Sequence, residues 1–194
     1  AKSAVAAFTR SLALEVRVLR KLRRRLAHGG LLLRQALLGH LLLCVLGQAL
    51  LLEALRGRGV ASDLVYTGQT GWLQGYEHGF LLDATPNDFV AGELERAVLE
   101  CAAATKPQVI LLEGQSSLRN PSGPCGAELL LSAGARHVVL VHAPVREVFD
   151  GSEELPGGGW PIPPLSEELE LIRLYGAETL AIALNTHGLD ADAI

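Results

Sequence analysis

Methionine is absent from all 194 residues, and aromatic side chains make up only 5% of them. A chain without methionine even at position 1 is expected to begin inside a longer reading frame or to have been trimmed. So few rings imply an aliphatic core and leave no stacking platform for nucleic-acid bases. Cysteine is scarce as well. Cys44, Cys101 and Cys125 are odd in number and lack metal-ligand spacing, which excludes a disulfide scaffold, predicts no metal site and suits a reduced, cytoplasmic setting. The N-terminus has neither the short apolar run nor the small-residue cleavage site of a secretory signal. Within the Leu-rich stretch 31–55, the longest run free of formal charge is the 18 residues from Gln35 to Leu52, which include Ala36 to Leu52, at the short margin for a spanning helix. A buried helix is the expectation there, and no membrane span.

What is present is unevenly charged. Residues 1–60 hold 11 Lys/Arg against Glu15 and Glu53, a balance of +9, while residues 61–194 hold 6 against 19 Asp/Glu, a balance of −13. Such a division can mark an arm for nucleic acid or anionic lipid. With no aromatics among the basic residues, a basic face lying against the acidic remainder, or a junction of two segments of different origin, is the better reading. Val5, Phe8, Leu12, Val16, Leu19, Leu22 and Leu26 recur at helical spacing, so residues 1–30 are expected to form one basic amphipathic helix closed by Gly29-Gly30.

From residue 60 onward, short apolar runs end in small polar residues. Leu64-Val65-Tyr66 leads into Thr67-Gly68-Gln69-Thr70-Gly71. Val109-Ile110-Leu111-Leu112 leads into Glu113-Gly114-Gln115-Ser116-Ser117, and its unbroken apolar run predicts a strand buried on both faces. Val138 to Val141 leads into His142, and Leu180 to Leu184 into Asn185-Thr186. Helical patterns lie between them: 87–105, with Asn87 or Asp88 as N-cap, 125–133, and 166–175 behind Pro163-Pro164. Strands alternating with helices imply an α/β fold with a mostly parallel sheet. Ligands bind such sheets at the carboxyl ends of the strands, so the four polar ends are expected to share one crevice.

Two resemblances bear on function. Ala1 to Glu15 resembles the helix of short-chain dehydrogenases that begins at the catalytic lysine, here Lys2, but no glycine-rich cofactor turn accompanies it, and it reads as a coincidental or chimeric fragment. The sustained resemblance begins at Arg56. Arg58-Gly59, Tyr66 to Gly71, Leu82-Asp83-Ala84, Asp88 to Gly92, Leu112 to Leu118, Pro121, Val141-His142, Pro161 to Leu165 and Ile182 to Thr186 occur in order. They resemble the DgcN-type family, P-loop NTPase-like proteins with acetyl-CoA-dependent N-acetylation of D-glutamate, over about 135 of the 194 residues.

The resemblance implies a P-loop NTPase-like three-layer sandwich over residues 31–194, preceded by the helical segment 1–30. It also implies acetyl-CoA as co-substrate, with small molecules as the partners and neither nucleic acid nor membrane; a homo-oligomer stays open. The sequence departs from the family at the phosphate loop. Where Gly-x-x-x-x-Gly-Lys is expected it reads Cys44-Val45-Leu46-Gly47-Gln48-Ala49-Leu50, without the lysine that neutralises phosphate or the hydroxyl that binds magnesium. Nucleotide and magnesium binding are therefore not expected of this loop.

Acyl transfer to an amine needs a base, a held thioester and oxyanion donors. Glu113 is the first choice of base because a buried strand end tunes its proton affinity; the same carboxylate could hold a metal, as strand-end acids do in phosphate-loop enzymes. Asp88 and His142 are rivals for the catalytic role, although capping and structural roles are common for such residues. Thr67, Gly68, Gln69, Thr70 and Gly71 make a donor-rich loop for a carboxylate or phosphate, or else an ordinary tight turn. Asp83, Gly114, Gln115, Ser116, Ser117, Asn185 and Thr186 complete the candidate binding set, with Arg119 to pair an acidic substrate. Gly157-Gly158-Gly159 reads as a mobile loop. Two other functions stay open: an ATP-using enzyme of the dethiobiotin-synthetase type, and a non-catalytic remnant or binding module.

Overall fold

The computed structural model describes residues 47–194 except 116, 120–124, 150–151, 154, 187–188 and 190–194. The basic helix expected over 1–30 and most of the Leu-rich stretch lie outside the described residues. The described chain opens in helix α1 (47–56). It continues through β1 (Ser62–Tyr66), α2 (Gln69–Leu73), β2 (His78–Gly79), a 3-10 turn (Leu82–Ala84), α3 (Asn87–Thr105) and β3 (Val109–Leu112). Then follow α4 (Cys125–Leu131), β4 (His137–His142), α5 (Leu165–Leu174) and β5 (Glu178–Leu184). Strands and helices alternate and every strand pair is parallel, as the alternation of patterns requires.

The strands do not form one sheet. β2-β1-β3 make a three-stranded sheet and β4-β5 a two-stranded one. β1 alternates its side chains between two cores, because successive residues of a strand face opposite sides. Val65 joins Val90, Leu94, Ala97 and Cys101 of α3, together with Phe80, Leu82 and Leu129. Leu64 and Tyr66 face the other way and pack with Leu52 of α1. Helix, sheet and helix thus form three layers. Helix α4 joins the sheets: Leu129 enters the α3 core, while its neighbour Leu130 packs with Ile172 of α5 and Ala177, beside Val138 and Leu140 of β4.

Two local expectations are corrected. β3 was expected to be buried on both faces, yet all four of its residues are half-buried; among the described strands it is an edge of its sheet. Helix α3 is not capped by Asn87 or Asp88. Its N-cap is Pro86, with no side-chain hydrogen bond, since proline supplies a preset φ just where free N–H groups begin. The helix ends at left-handed Lys106 (φ 47°), before Pro107. In the glycine loop Gly157, Gly158 and Gly159 all have positive φ, and buried Ser152 accepts the Trp160 N–H (3.0 Å) while donating to the Phe149 carbonyl (2.6 Å). No helix among the described residues is long and apolar enough to cross a membrane.

Candidate functional site

Glu113 follows β3 directly and Thr67 follows β1. Because β1 and β3 are parallel neighbours in register from Ser62↔Val109 to Val65↔Leu112, their carboxyl ends emerge side by side. Glu113 is only 5% exposed. Its Oε2 accepts the backbone N–H groups of Thr67 (2.8 Å) and Gly68 (3.1 Å). The Thr67 hydroxyl donates in return to the Glu113 carbonyl (2.9 Å), and the Gln115 side-chain amide donates to the Thr67 carbonyl. Two glycines make this contact possible. A Cβ on Gly71 would overlap Tyr66 and lie 3.2 Å from Glu113 Oε2, and one on Gly68 would lie 2.7 Å from Gln115 Nε2.

The electrostatics of Glu113 combine two opposed effects. Burial pushes its proton affinity up, and the Thr67 and Gly68 N–H groups pull it down. Burial prevails, so the carboxyl stands above its ordinary range. Oε2 is held by two donors, while Oε1 accepts no hydrogen bond among the described residues. One oxygen is anchored and the other is available to take a proton. Close by in the chain, Ser117 Oγ is buried without a partner among the described residues, the kind of hydroxyl that a bound molecule or water completes.

The other candidates are distributed as follows. Gln69, Thr70 and Gly71 lie in α2, whose N-cap is Gly68, so the expected loop is a short helix. The N–H groups of Thr67 and Gly68 are taken by Glu113 rather than presented to a ligand. Asp83 and Asp88 are exposed, in the 3-10 turn and the first turn of α3. Gly114 is exposed beside Glu113. Half-buried His142 and buried Asn185 end β4 and β5, where the Asn185 N–H donates to the His142 carbonyl (2.7 Å), and Thr186 follows them. Arg119 is ion-paired to Glu168 (2.8 Å) and Glu167 (3.1 Å) at the start of α5. Ser116 lies outside the described residues.

The four strand ends fall as two hydrogen-bonded pairs in two sheets: Thr67 with Glu113, and His142 with Asn185. A surface cleft of about 330 Å³ lined by Arg119, Ser166, Glu167 and Leu171 includes none of the groups bonded to Glu113. Glu113 is the stronger candidate, because a buried carboxylate with raised proton affinity marks functional sites more often than a satisfied surface ion pair does. Of the degenerate phosphate loop, 44–46 lie outside the described residues. Gly47 and Gln48 are already helical, and a Cβ at Gly47 would touch nothing within 4 Å.

Sequence reasoning missed Tyr76, a half-buried phenol pushed up by burial, lowered by the nearby Arg56 charge and raised by Glu53, Asp63 and Glu113. Nothing in its surroundings in the sequence, Gly75 and Glu77, announces that neighbourhood. It also missed the approach of Asp63, His78 and Cys101, which no spacing rule connects.

A model of the P-loop domain of a domain of unknown function, DUF1611, matches residues 47–194. The chain belongs to the DUF1611 P-loop domain family. A crystal structure of a DUF1611 family protein from Anabaena variabilis is similar at 30% sequence identity with a TM-score of 0.63, over 75% of this chain and 42% of that one. The chain thus spans less than half the length of that DUF1611 protein. No curated protein matches. The DUF1611 match begins at Gly47, the first described residue, and includes every strand and helix described above.

Proposed function

We propose that this DUF1611 domain is an acyl-CoA-dependent N-acetyltransferase of the DgcN type, acting on an acidic D-amino acid such as D-glutamate with acetyl-CoA as co-substrate. The observation that carries the reading is Glu113: a buried carboxylate at a parallel strand end, with raised proton affinity, one anchored oxygen and one open oxygen. In the proposed reaction Glu113 removes a proton from the substrate α-ammonium. The freed amine attacks the thioester carbonyl, the C–N bond forms, the C–S bond breaks, and the departing CoA thiolate takes up the second proton that the nitrogen sheds in becoming an amide. Gln115, Ser116 and Ser117 are the proposed donors to the oxyanion and the substrate carboxylate. His142, Asp88 and Asp83 have no described contact with the Glu113 cluster, and their proposed roles rank below that of Glu113.

One observation favours a second reading, a non-catalytic binding module. Gln48 replaces the phosphate-loop lysine, and the Arg119 guanidinium is engaged by Glu167 and Glu168. The two readings separate in one assay. With D-glutamate and acetyl-CoA, an acetyltransferase releases free CoA thiol, and Glu113→Gln lowers the rate at least about a hundredfold, the scale of losing a general base. No thiol release, with no heat of acetyl-CoA binding, selects the binding module.

A further inference from the structure

Asp63, His78 and Cys101 each bring one ligand atom to within 4.8 Å of the other two. They come from three elements. Asp63 lies in β1, two residues before Val65 and so on the same face of the sheet. His78 is the β2 partner of Val65. Cys101 belongs to the α3 core that packs on Val65. Carboxylate, imidazole and thiol therefore converge where the two-residue edge strand, the central strand and the helix meet.

Their hydrogen bonding leaves them uncommitted to one another. His78 Nε2 is buried and has no hydrogen-bond partner among the described residues, a costly state for a ring nitrogen. Asp63 Oδ1 takes the Leu64 N–H (2.8 Å) and lies 3.7 Å from Arg56, while Oδ2 accepts no hydrogen bond among the described residues. Cys101 is a free, buried thiol whose neighbour is the Thr105 hydroxyl at 4.0 Å.

We propose that Asp63, His78 and Cys101 form a binding site for a divalent metal ion of the zinc class. Sulfur, imidazole nitrogen and carboxylate oxygen together match the borderline softness of zinc rather than the oxygen-only preference of magnesium or calcium. A tetrahedral zinc centre holds such atoms about 3.3–3.6 Å apart, so closure on the ion requires side-chain movement on the order of 1 Å. Three protein ligands leave the fourth position to water. The site is distinct from the Glu113 cluster, since no side-chain hydrogen bond or ion pair among the described residues links Asp63, His78 or Cys101 to Glu113, Thr67 or Gly68. Its consequence is local: it pins His78, and with it the segment whose Phe80 and Leu82 N–H groups bond the Tyr66 (3.1 Å) and Thr67 (2.9 Å) carbonyls.

Cobalt titration of the full chain tests the site. In a Cys44→Ser, Cys125→Ser background Cys101 is the only thiol. One equivalent of Co²⁺ is expected to produce a near-ultraviolet thiolate-to-cobalt charge-transfer band and visible tetrahedral bands, both removed by added Zn²⁺. Cys101→Ser removes the charge-transfer band, and His78→Gln and Asp63→Asn each weaken Co²⁺ binding at least about tenfold. Zn²⁺ raises the thermal midpoint of the parent but not of His78→Gln. Should Cys101→Ser fail to fold, His78→Gln and Asp63→Asn decide the question. Absence of the band in the parent, or unchanged cobalt affinity in both of those variants, overturns the proposal and leaves the three groups as a metal-free polar cluster.

Discussion

Thr67 and Glu113 hold each other twice, the Thr67 N–H donating to the Glu113 carboxylate (2.8 Å) and the Thr67 hydroxyl to the Glu113 carbonyl (2.9 Å). Both residues are buried, Thr67 fully. Thr67→Val keeps the shape and the N–H bond but leaves the Glu113 carbonyl without the hydroxyl. We expect a loss of about 1–3 kcal/mol, the range for a buried hydrogen bond with one partner removed, read from the midpoint of urea unfolding at unchanged slope.

Glu113 also sets a pH dependence. Its folded proton affinity is raised, so as pH climbs from the ordinary carboxylate range through the folded value, the unfolded chain ionises first. The unfolded state then binds fewer protons than the folded state, and stability falls with rising pH across that window. Glu113→Gln removes this contribution while its amide oxygen can still accept the Thr67 and Gly68 N–H groups. The difference in unfolding free energy between parent and variant, measured at several pH values, is expected to grow in the variant's favour across that window. A pH-independent difference would refute the assignment.

Gly71 is expected to tolerate no side chain. The Cβ of Gly71→Ala would overlap Tyr66 and approach Glu113 Oε2 to 3.2 Å. Overpacking of this kind costs about 1–3 kcal/mol, and calorimetry should show a lower midpoint. Gly92→Ala is the control, because a Cβ there meets nothing within 4 Å and alanine suits an exposed helix interior better than glycine by about 1 kcal/mol.

Arg119→Ala separates an ion pair from a binding group. Its partners, Glu167 and Glu168, sit in the first turn of α5. An exposed pair of this kind contributes about 0–1 kcal/mol, so the stability change is expected to be small. If Arg119 also holds the substrate carboxylate, KM for D-glutamate rises with little change in Tm; unchanged KM confines Arg119 to the ion pair.

Much of the chain organisation was legible because it is written in local periodicity. The apolar runs ending at Tyr66, Leu112, Val141 and Leu184 mark strands, the 87–105 pattern matches α3 residue for residue, and Pro163-Pro164 announces α5. The Glu113 strand end was legible for the same reason, as a carboxylate following an unbroken apolar run.

Pairing depends on distant parts of the chain, and periodicity carries no information about it. The division of the described strands into two sheets, which pairs Thr67 with Glu113 and His142 with Asn185, belongs to the tertiary structure alone. So does the fate of the Thr67-Gly68 donors, which the sequence offered to a ligand and the fold gave to Glu113, because register places them opposite each other. Asp63, His78 and Cys101 make the same point most plainly. Their chemistry was in the sequence, but only the packing of β2, β1 and α3 brings it to one place.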